Sequence, residues 1–569
     1  MESRMKQRLQ IGLLLAVVTL VYANSLWNQF TWDDELYITT NPQVTQFSWR
    51  ALLAPNRVTN VFRPFTFVTF AFNWALGGAH PFAFHLVNLS LHAAVTLLLY
   101  FLLCALLEEV AHGKTIALVA ATLFAVHPIH TEAVTSIVGR PELLAAGFLL
   151  AAWILHLRDR QIPALLCFSL ALLSKESAAA FLPLVVVGDY ARGKWKPPLR
   201  YASIAGLTAL YLGVLWKVQG GRFGQPGIAL LDNPLGSLSA KWRILNALRV
   251  AWKYLALQLY PAVLSCDYSF KQIPMYKDWR HTLPAALGAA VVLAAWLWAV
   301  KHRKSEWVLA GGIYLAAFAT TANILIPTGT ILGERLAYLP SAGFCLLLAI
   351  AWTWAFNVRP QSREQTMVVA LLVLVVAALG ARTVIRNRDW KDNPTLFAAA
   401  VRASPNSAKA HLNLASAYRN EQRLDLAQGE FETVLRIYPN HPDALAGYGL
   451  VEFQLGNYTD AERMMKQALY TSKRDNPNYD SMAVNLAALW MQTGDNFDAV
   501  DLLNREIAES PGYARAWANR AVIRYRLNEP SAARSDAETA LRLDHNNRQA
   551  LEVTRLLSNS SASASTSQP

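Results

Sequence analysis

The stretch "TMVVALLVLVVAALGARTVIRNRDWKDNPTLFAAAVRASPNSAKAHLNLASAY", residues 366–418, contains two hydropathy patterns in one line. Its first part, 366–384, is a continuous apolar run of the length a helix needs to cross a bilayer, about 20 residues. From about Ser407 the apolar residues return only at helical spacing, between polar ones, as in a water-exposed helix pair. Everything upstream resembles the first part and everything downstream the second. The stretch therefore divides the chain into a membrane part and a soluble part, both helical.

Upstream, apolar runs recur from Ile11 onward, near residues 10–26, 82–107, 115–133, 141–157, 162–174, 177–191, 200–217, 283–300, 306–325, 336–356 and 366–384. Eleven spans are expected. A chain of 569 residues that is 54% hydrophobic and only 16% charged fits no ordinary soluble protein. The net charge of +13 belongs to the membrane part: up to residue 393 there are 34 basic and 19 acidic residues, and from Pro394 on 18 and 20. Such a distribution points to topology signals and anionic headgroups, and away from nucleic acid. Cys104, Cys167 and Cys345 lie within apolar runs and Cys266 lies alone, so neither disulfides nor a cysteine metal site is expected. The N-terminus has a basic start, an apolar core and the small-residue site Val21-Tyr22-Ala23. It reads either as a first span or as a cleaved signal peptide.

The basic connections "RDRQ" at 158, "ARGKWKPPLR" at 191, "KHRKSE" at 301 and "NVRPQSREQ" at 357 all fall on the cytoplasmic side if eleven spans start from an inside N-terminus. The loops 27–81 and 218–282 then lie on the opposite side. Two apolar segments are expected not to cross. "VFRPFTFVTFAFNWALGG", 61–78, has the aromatic content of an interfacial helix, and 241–261 carries Lys241, Arg243, Arg249 and Lys253, too many charges for an unassisted span.

Downstream, a period of about 34 residues marks tetratricopeptide (TPR) helix pairs. Units are expected near 408–441, 442–475, 480–513 and 514–547, with small residues such as Ala427, Gly449, Ala461 and Ala499 where helices approach closely. Domain boundaries follow at 1–393 and 394–557, with a disordered Ser-rich tail at 558–569.

Ionisable residues gather at the non-cytoplasmic ends of the spans. Asp33, Asp34 and Glu35 follow the first span and sit between Phe30, Trp32 and Tyr37. A carboxylate there can act as a general base on a hydroxyl or bind a divalent metal. "FAFHLVNLSLHAAV" sets His85, Asn88 and His92 on one helical face, a pattern that also serves interhelical hydrogen bonding. "VHPIHTEAVTSIVGRPELLAA" supplies His127, His130, Glu132, Arg140 and Glu142. Its His spacing, interrupted by Pro128, is poor for zinc. "LLSKESAAAF" adds Lys175 and Glu176, and "LGERLAYLPSAGF" adds Glu334, Arg335 and Tyr338; mutual ion pairing and function both fit these charges. The cations suit a phosphate, which arginine binds in a fork. No Ser-His-Asp arrangement, Walker loop or dinucleotide fingerprint is evident.

In order along the chain, "WDD" with "NP" downstream, "FRPFTFVTFAFNWALGG", "HLVNLSLHA", "LFAVHPIHTEAVTSIVGRPELLA", "ALLSKE", "GERLAYLPSAGF" and the terminal repeats resemble the transmembrane and tetratricopeptide-repeat (TMTC) proteins, membrane mannosyltransferases of the GT-C class. The resemblance implies an all-α polytopic GT-C-type domain followed by a TPR solenoid. It also implies transfer of a sugar, mannose in eukaryotic members, from a polyprenyl-phosphate carrier to Ser or Thr hydroxyls of proteins on the non-cytoplasmic side. The acidic pair in the first loop then holds the catalytic carboxylate: Asp33 if "WDD" is set on the family's pair, Asp34 if the wider "DE" pattern is laid over Asp34 and Glu35. Arg140, Lys175 and Arg335, with Arg63, are the expected phosphate ligands.

No cofactor is expected beyond the lipid-linked donor, and a divalent metal is not favoured. The expected partners are the lipid carrier and an acceptor protein or peptide held by the repeats. The expected location is an ER membrane with lumenal repeats in a eukaryote, or a bacterial inner membrane with periplasmic repeats and undecaprenyl phosphate as carrier. The repeat array is shorter than that of many eukaryotic relatives. The competing reading is a non-catalytic membrane anchor that presents a TPR scaffold for protein assembly or quality control.

Overall fold

The computed structural model describes all residues except 1, 47–60, 222–229, 325, 358–361 and 566–569. It is helical throughout, with no strand among the described residues. It forms two compact units, Met1–Lys409 and Ala410–Pro569.

In the first unit all eleven expected apolar segments are helical. Seven helices are long and apolar enough to cross a membrane singly: Met5–Trp27, Pro81–Leu106, Ile137–Leu157, Pro198–Val218, Trp279–Lys301, Pro340–Asn357 and Arg363–Asp389. An eighth crossing is a pair, Gly113–Val126 and Pro128–Val134, bent by 53° where Pro128 interrupts it. The segments expected at 162–174, 177–191 and 306–325 form the shorter helices Gln161–Ser174, Phe181–Arg192 and Ser305–Ala319. At 1.5 Å per residue, none of these three reaches the roughly 30 Å of a hydrocarbon core alone. The Trp279–Lys301 and Ser362–Asp389 helices leave Val291, Leu297, Leu371 and Leu374 exposed, as lipid-facing helices do. The chain is a membrane protein.

Between the helices the packing depends on small residues, as membrane interiors require. A Cβ on Gly188 would lie 2.8 Å from the Trp153 ring, and one on Gly343 would lie 2.5 Å from backbone atoms of Ala310 and Tyr314. Trp153 is fully buried in the main apolar core with Phe124, Phe168, Phe181 and Tyr338.

The two segments expected to lie at the interface are also helices. Pro64–Gly77 buries Phe67, Phe70 and Asn73 while Phe72 and Leu76 stay exposed. Ala240–Leu259 buries Asn246, Val250, Tyr254 and Leu257 along one side and leaves Lys241 and Lys253 exposed; its charge keeps it out of the set of possible spans.

The first unit extends past residue 393. The helix Asn393–Ala403 and the residues up to Lys409 dock on loops of this unit. Lys409 pairs with Asp232, Ser407 donates to Asp267, and the Lys271 amide donates to the Asn406 carbonyl at 3.0 Å.

The second unit is a helix-pair array, from Leu424–Ile437 through Pro442–Leu455 with Tyr458–Thr471 and Tyr479–Thr493 with Asn496–Glu509 to Ala514–Arg526 with Pro530–Leu543. Gly449 lets its helix approach Met465, whose Cγ would lie 2.8 Å from an added Cβ. Gly456 and Gly494 end their helices at φ 85° and 99°, the left-handed geometry that favours glycine. A last helix, Arg548–Ser565, covers the array by burying Ala550, Val553 and Leu557. It runs into the Ser-rich segment, because this capping face continues the helical pattern beyond residue 547.

Candidate functional site

The first span ends in the tight turn Ala23–Trp27, and the chain resumes helical geometry at Asp33. Trp32, between them, has φ +50°, a left-handed conformation uncommon for a bulky residue. Successive helical positions point about 100° apart, so the two aspartates diverge. Asp34 turns inward and is fully buried. Its Oδ2 accepts the Thr31 amide at 2.9 Å and its Oδ1 accepts the Val138 amide at 3.1 Å. Burial pushes its carboxyl up to about 7, although these two amides favour the carboxylate.

Asp33 turns the other way, half-buried, into a cleft whose wall includes Arg63, Arg335, Tyr37, Phe67, Phe70 and Pro141. Glu35 is exposed and begins a short π-helical turn that ends at Thr39.

The cleft's cations are each held by an acid. Arg63 grips Glu176 as a fork, Nε to Oε2 at 3.1 Å and Nη2 to Oε1 at 2.7 Å. Glu176 itself is exposed to solvent, and the Arg63 charge beside it holds that carboxyl down at about 2. Arg335 donates twice to the buried Glu132, from Nη1 at 2.7 Å and from its own amide at 2.9 Å. The residue before it, Glu334, accepts from the Ser265 amide at 2.7 Å and the Tyr268 hydroxyl at 2.6 Å, with Arg386 Nη2 3.6 Å away. Burial lifts the Glu334 carboxyl to about 7, and Arg386 works the other way.

Arg140 and Lys175 stand apart from the cleft wall. Arg140 is fully buried, and its guanidinium donates to Asn88 Oδ1 (2.9 Å), the Thr69 carbonyl (3.2 Å) and the Phe84 carbonyl (3.1 Å). It lies 4.6 Å over the Phe70 ring, a cation–π contact. Lys175 is buried against Glu142 as an ion pair. Gly139 makes the local turn possible: a Cβ there would overlap the Ala133 carbonyl, so only glycine lets Val138 reach Asp34 and Arg140 reach Asn88.

The histidines are buried and bond neighbouring segments. His85 Nε2 lies 3.1 Å from the Asn28 carbonyl, His127 Nε2 lies 2.9 Å from the Gln258 carbonyl, and His130 Nε2 lies 2.7 Å from Ser341 Oγ. Tyr338 bonds His92 Nδ1 at 2.7 Å. Among the described residues no three His, Cys, Asp or Glu side chains converge as metal ligands.

Residues outside the sequence-derived set also reach the site. Asn393 accepts the Trp32 amide at 2.7 Å, and Lys409 stands 5.9 Å over the Trp32 ring. Both follow the last span. Their only sequence signal is the "DNP" helix start at 392–394, far along the chain from the loop they touch.

A tetratricopeptide repeat family model matches residues 406–474. Among solved structures, the chain is similar to YrrB, a TPR protein with an unusual peptide-binding site, at 17% identity over 36% of this chain and 98% of that one, with a TM-score of 0.25. It is similar also to PilF of Pseudomonas aeruginosa, at 17% identity over 38% of this chain and 88% of that one, with a TM-score of 0.27. Curated relatives include the protein O-mannosyl-transferase TMTC3 of Mus musculus, 28% identical over 95% of this chain and 64% of the relative. Others are F38B6.6 of Caenorhabditis elegans (29%, 75% of this chain and 63% of the relative) and TMTC1 of Homo sapiens (29%, 77% and 56%), both named protein O-mannosyl-transferases. The chain thus spans less than two thirds of the length of these relatives. From the first span to the repeats, it is a homologue of the TMTC proteins.

Proposed function

We propose that the chain is a membrane glycosyltransferase that moves a sugar, mannose by the names of its relatives, from a polyprenyl-phosphate carrier to Ser or Thr hydroxyls of a protein on the non-cytoplasmic side. One observation carries the reading: Asp33, rather than its buried neighbour, faces a cleft whose wall also holds Arg63 and Arg335. Asp33 takes the proton of the acceptor hydroxyl as its oxygen attacks the anomeric carbon. The bond from that carbon to the phosphate oxygen breaks, and the phosphate leaves with the electron pair. Arg63 and Arg335 stabilise the charge that develops on it. Attack opposite the leaving group inverts the anomeric centre.

Arg140 and Lys175 take positioning roles in this reading, because both are buried away from the cleft wall, against Asn88, Thr69, Phe84 and Glu142. The positive connections at 158, 191, 301 and 357 support a cytoplasmic side opposite the cleft. The repeats are read as the holder of the acceptor polypeptide.

The test is incubation of the purified protein with labelled polyprenyl-phosphate mannose and Ser/Thr-containing acceptor peptides. Label is expected on the peptide hydroxyls with wild type and absent with Asp33→Asn. Equal transfer by wild type and Asp33→Asn rejects the assignment, and no label with any acceptor favours the scaffold.

A further inference from the structure

The beginning and end of the first unit are joined by a ladder of polar contacts leading toward Asp33. Asn24 Nδ2 donates to the Val384 carbonyl at 2.9 Å. Asn387 Nδ2 donates to the Val21 carbonyl at 2.9 Å and to Asn24 Oδ1 at 2.8 Å, and its own Oδ1 accepts from Thr135. Asn28 Nδ2 then reaches the Asn387 carbonyl at 3.0 Å, and the Gln29 amide reaches the Lys391 carbonyl at 2.9 Å. The last rung is the Trp32 amide on Asn393 Oδ1, at 2.7 Å and across 361 residues. Only the oxygen of the Asn393 amide can accept that N–H, so the orientation of this side chain is fixed.

We propose that Asn393 is a positioning residue for the Asp33 carboxylate, an inference that rests on the glycosyl-transfer reading above. Trp32 has φ +50°, a conformation that persists only where its surroundings enforce it. The residue after such a turn points wherever the turn directs it. Asp33 has an anchored neighbour on each side: Trp32 through Asn393, and Asp34 through Thr31 and Val138. The Trp32 ring is held too, edge-on to Phe397 at 6.3 Å between centroids. With both neighbours fixed, the Asp33 carboxylate meets the acceptor hydroxyl without first searching for its direction.

The test compares Asn393→Asp, which keeps an acceptor of the same size, with Asn393→Leu, which keeps the size and removes the acceptor. Turnover is expressed per site that binds a non-transferable polyprenyl phosphate, so that partial misfolding lowers the number of sites and not the rate at each. Asn393→Leu is expected to lose about 10- to 100-fold in turnover per site. Its donor Kd is expected to stay within about twofold. Asn393→Asp is expected to remain within about threefold of wild type, since a carboxylate accepts the same amide.

Wild-type turnover in the Leu variant, or equal loss in both variants, overturns the proposal. Should the Leu variant bind no donor, Asn393→Ala is read by the same criteria against Asn393→Asp. Asp33→Asn in the same assay separates the two levels. If it is inactive while Asn393→Leu is wild type, only the positioning role falls. If it is active, the transfer reading itself falls.

Discussion

Asp34 accepts the amide of Val138 across 104 residues, a bond of 3.1 Å that joins the first loop to the turn before the Arg140–Leu157 helix. With the Thr31 amide on the other oxygen, both Asp34 oxygens are engaged by backbone. The adjacent Asp33 is left to face the cleft. Two neighbouring aspartates are thereby given separate tasks, one building the loop and one facing its contents.

Asparagine at the two positions should separate these tasks. Asp33→Asn is expected to abolish transfer with an unchanged melting temperature. Asp34→Asn sets an NH2 group against a buried amide donor and should cost about 1–3 kcal/mol of stability. Thermal unfolding in detergent, run beside the transfer assay, reads both.

Stability should fall as pH rises toward neutrality. Asp34 and Glu334 each have a folded carboxyl raised by burial to about 7, above the unfolded values of about 4. A raised folded value contributes stability that is complete below the unfolded value and is lost as pH climbs through the folded one. The melting temperature is therefore expected to drop between about pH 4 and 7 and to level off above that. This slope should flatten in Glu334→Gln, whose side chain titrates at no pH in that range.

Arg335 tests the phosphate assignment. Arg335→Lys keeps a charge near Glu132 but loses the planar guanidinium, and should lower kcat about tenfold with a smaller effect on the donor KM. Arg335→Ala leaves Glu132 buried without its partner and should cost about 3–5 kcal/mol, read as loss of monodisperse protein in size-exclusion chromatography.

The boundary at Lys409 predicts where the chain can be cut. A chain of residues 1–409 keeps the Asp232–Lys409 and Asp267–Ser407 contacts and should purify as a monodisperse species. One ending at 393 lacks these contacts and also exposes the groups that Phe397 and Ala400 cover, and it should aggregate. Chromatography of the two in one detergent decides between them.

Hydropathy made the helices legible, because a run of apolar residues marks a crossing whatever its neighbours do. It counted crossings less well. Gln161–Ser174 and Phe181–Arg192 nearly match the segments expected at 162–174 and 177–191, yet at 14 and 12 residues neither is long enough to cross alone. The period of the repeats was equally plain in small residues such as Gly449, Ala461 and Ala499, whereas the helix ends at Gly456 and Gly494 follow from their left-handed geometry in the structure. The candidate site was legible as a set of residues but not as an arrangement. Arg140 and Arg335 carry the same charge in similar motifs, yet the packing of Phe70, Phe84 and Asn88 encloses one while the other borders the cleft. Asn393 was invisible because its contact with Trp32 spans nearly the whole unit, beyond any local pattern.

The ladder between residues 21–32 and 384–393 also sets an order of assembly. One side of it is synthesised before the other, which follows only after every intervening helix has been made. Until then Asn24, Asn28 and the Trp32 amide lack their partners, and nothing enforces the left-handed turn before Asp33. A partly made chain thus contains the acid without its setting, and the first loop is among the last places in the unit to acquire its native form.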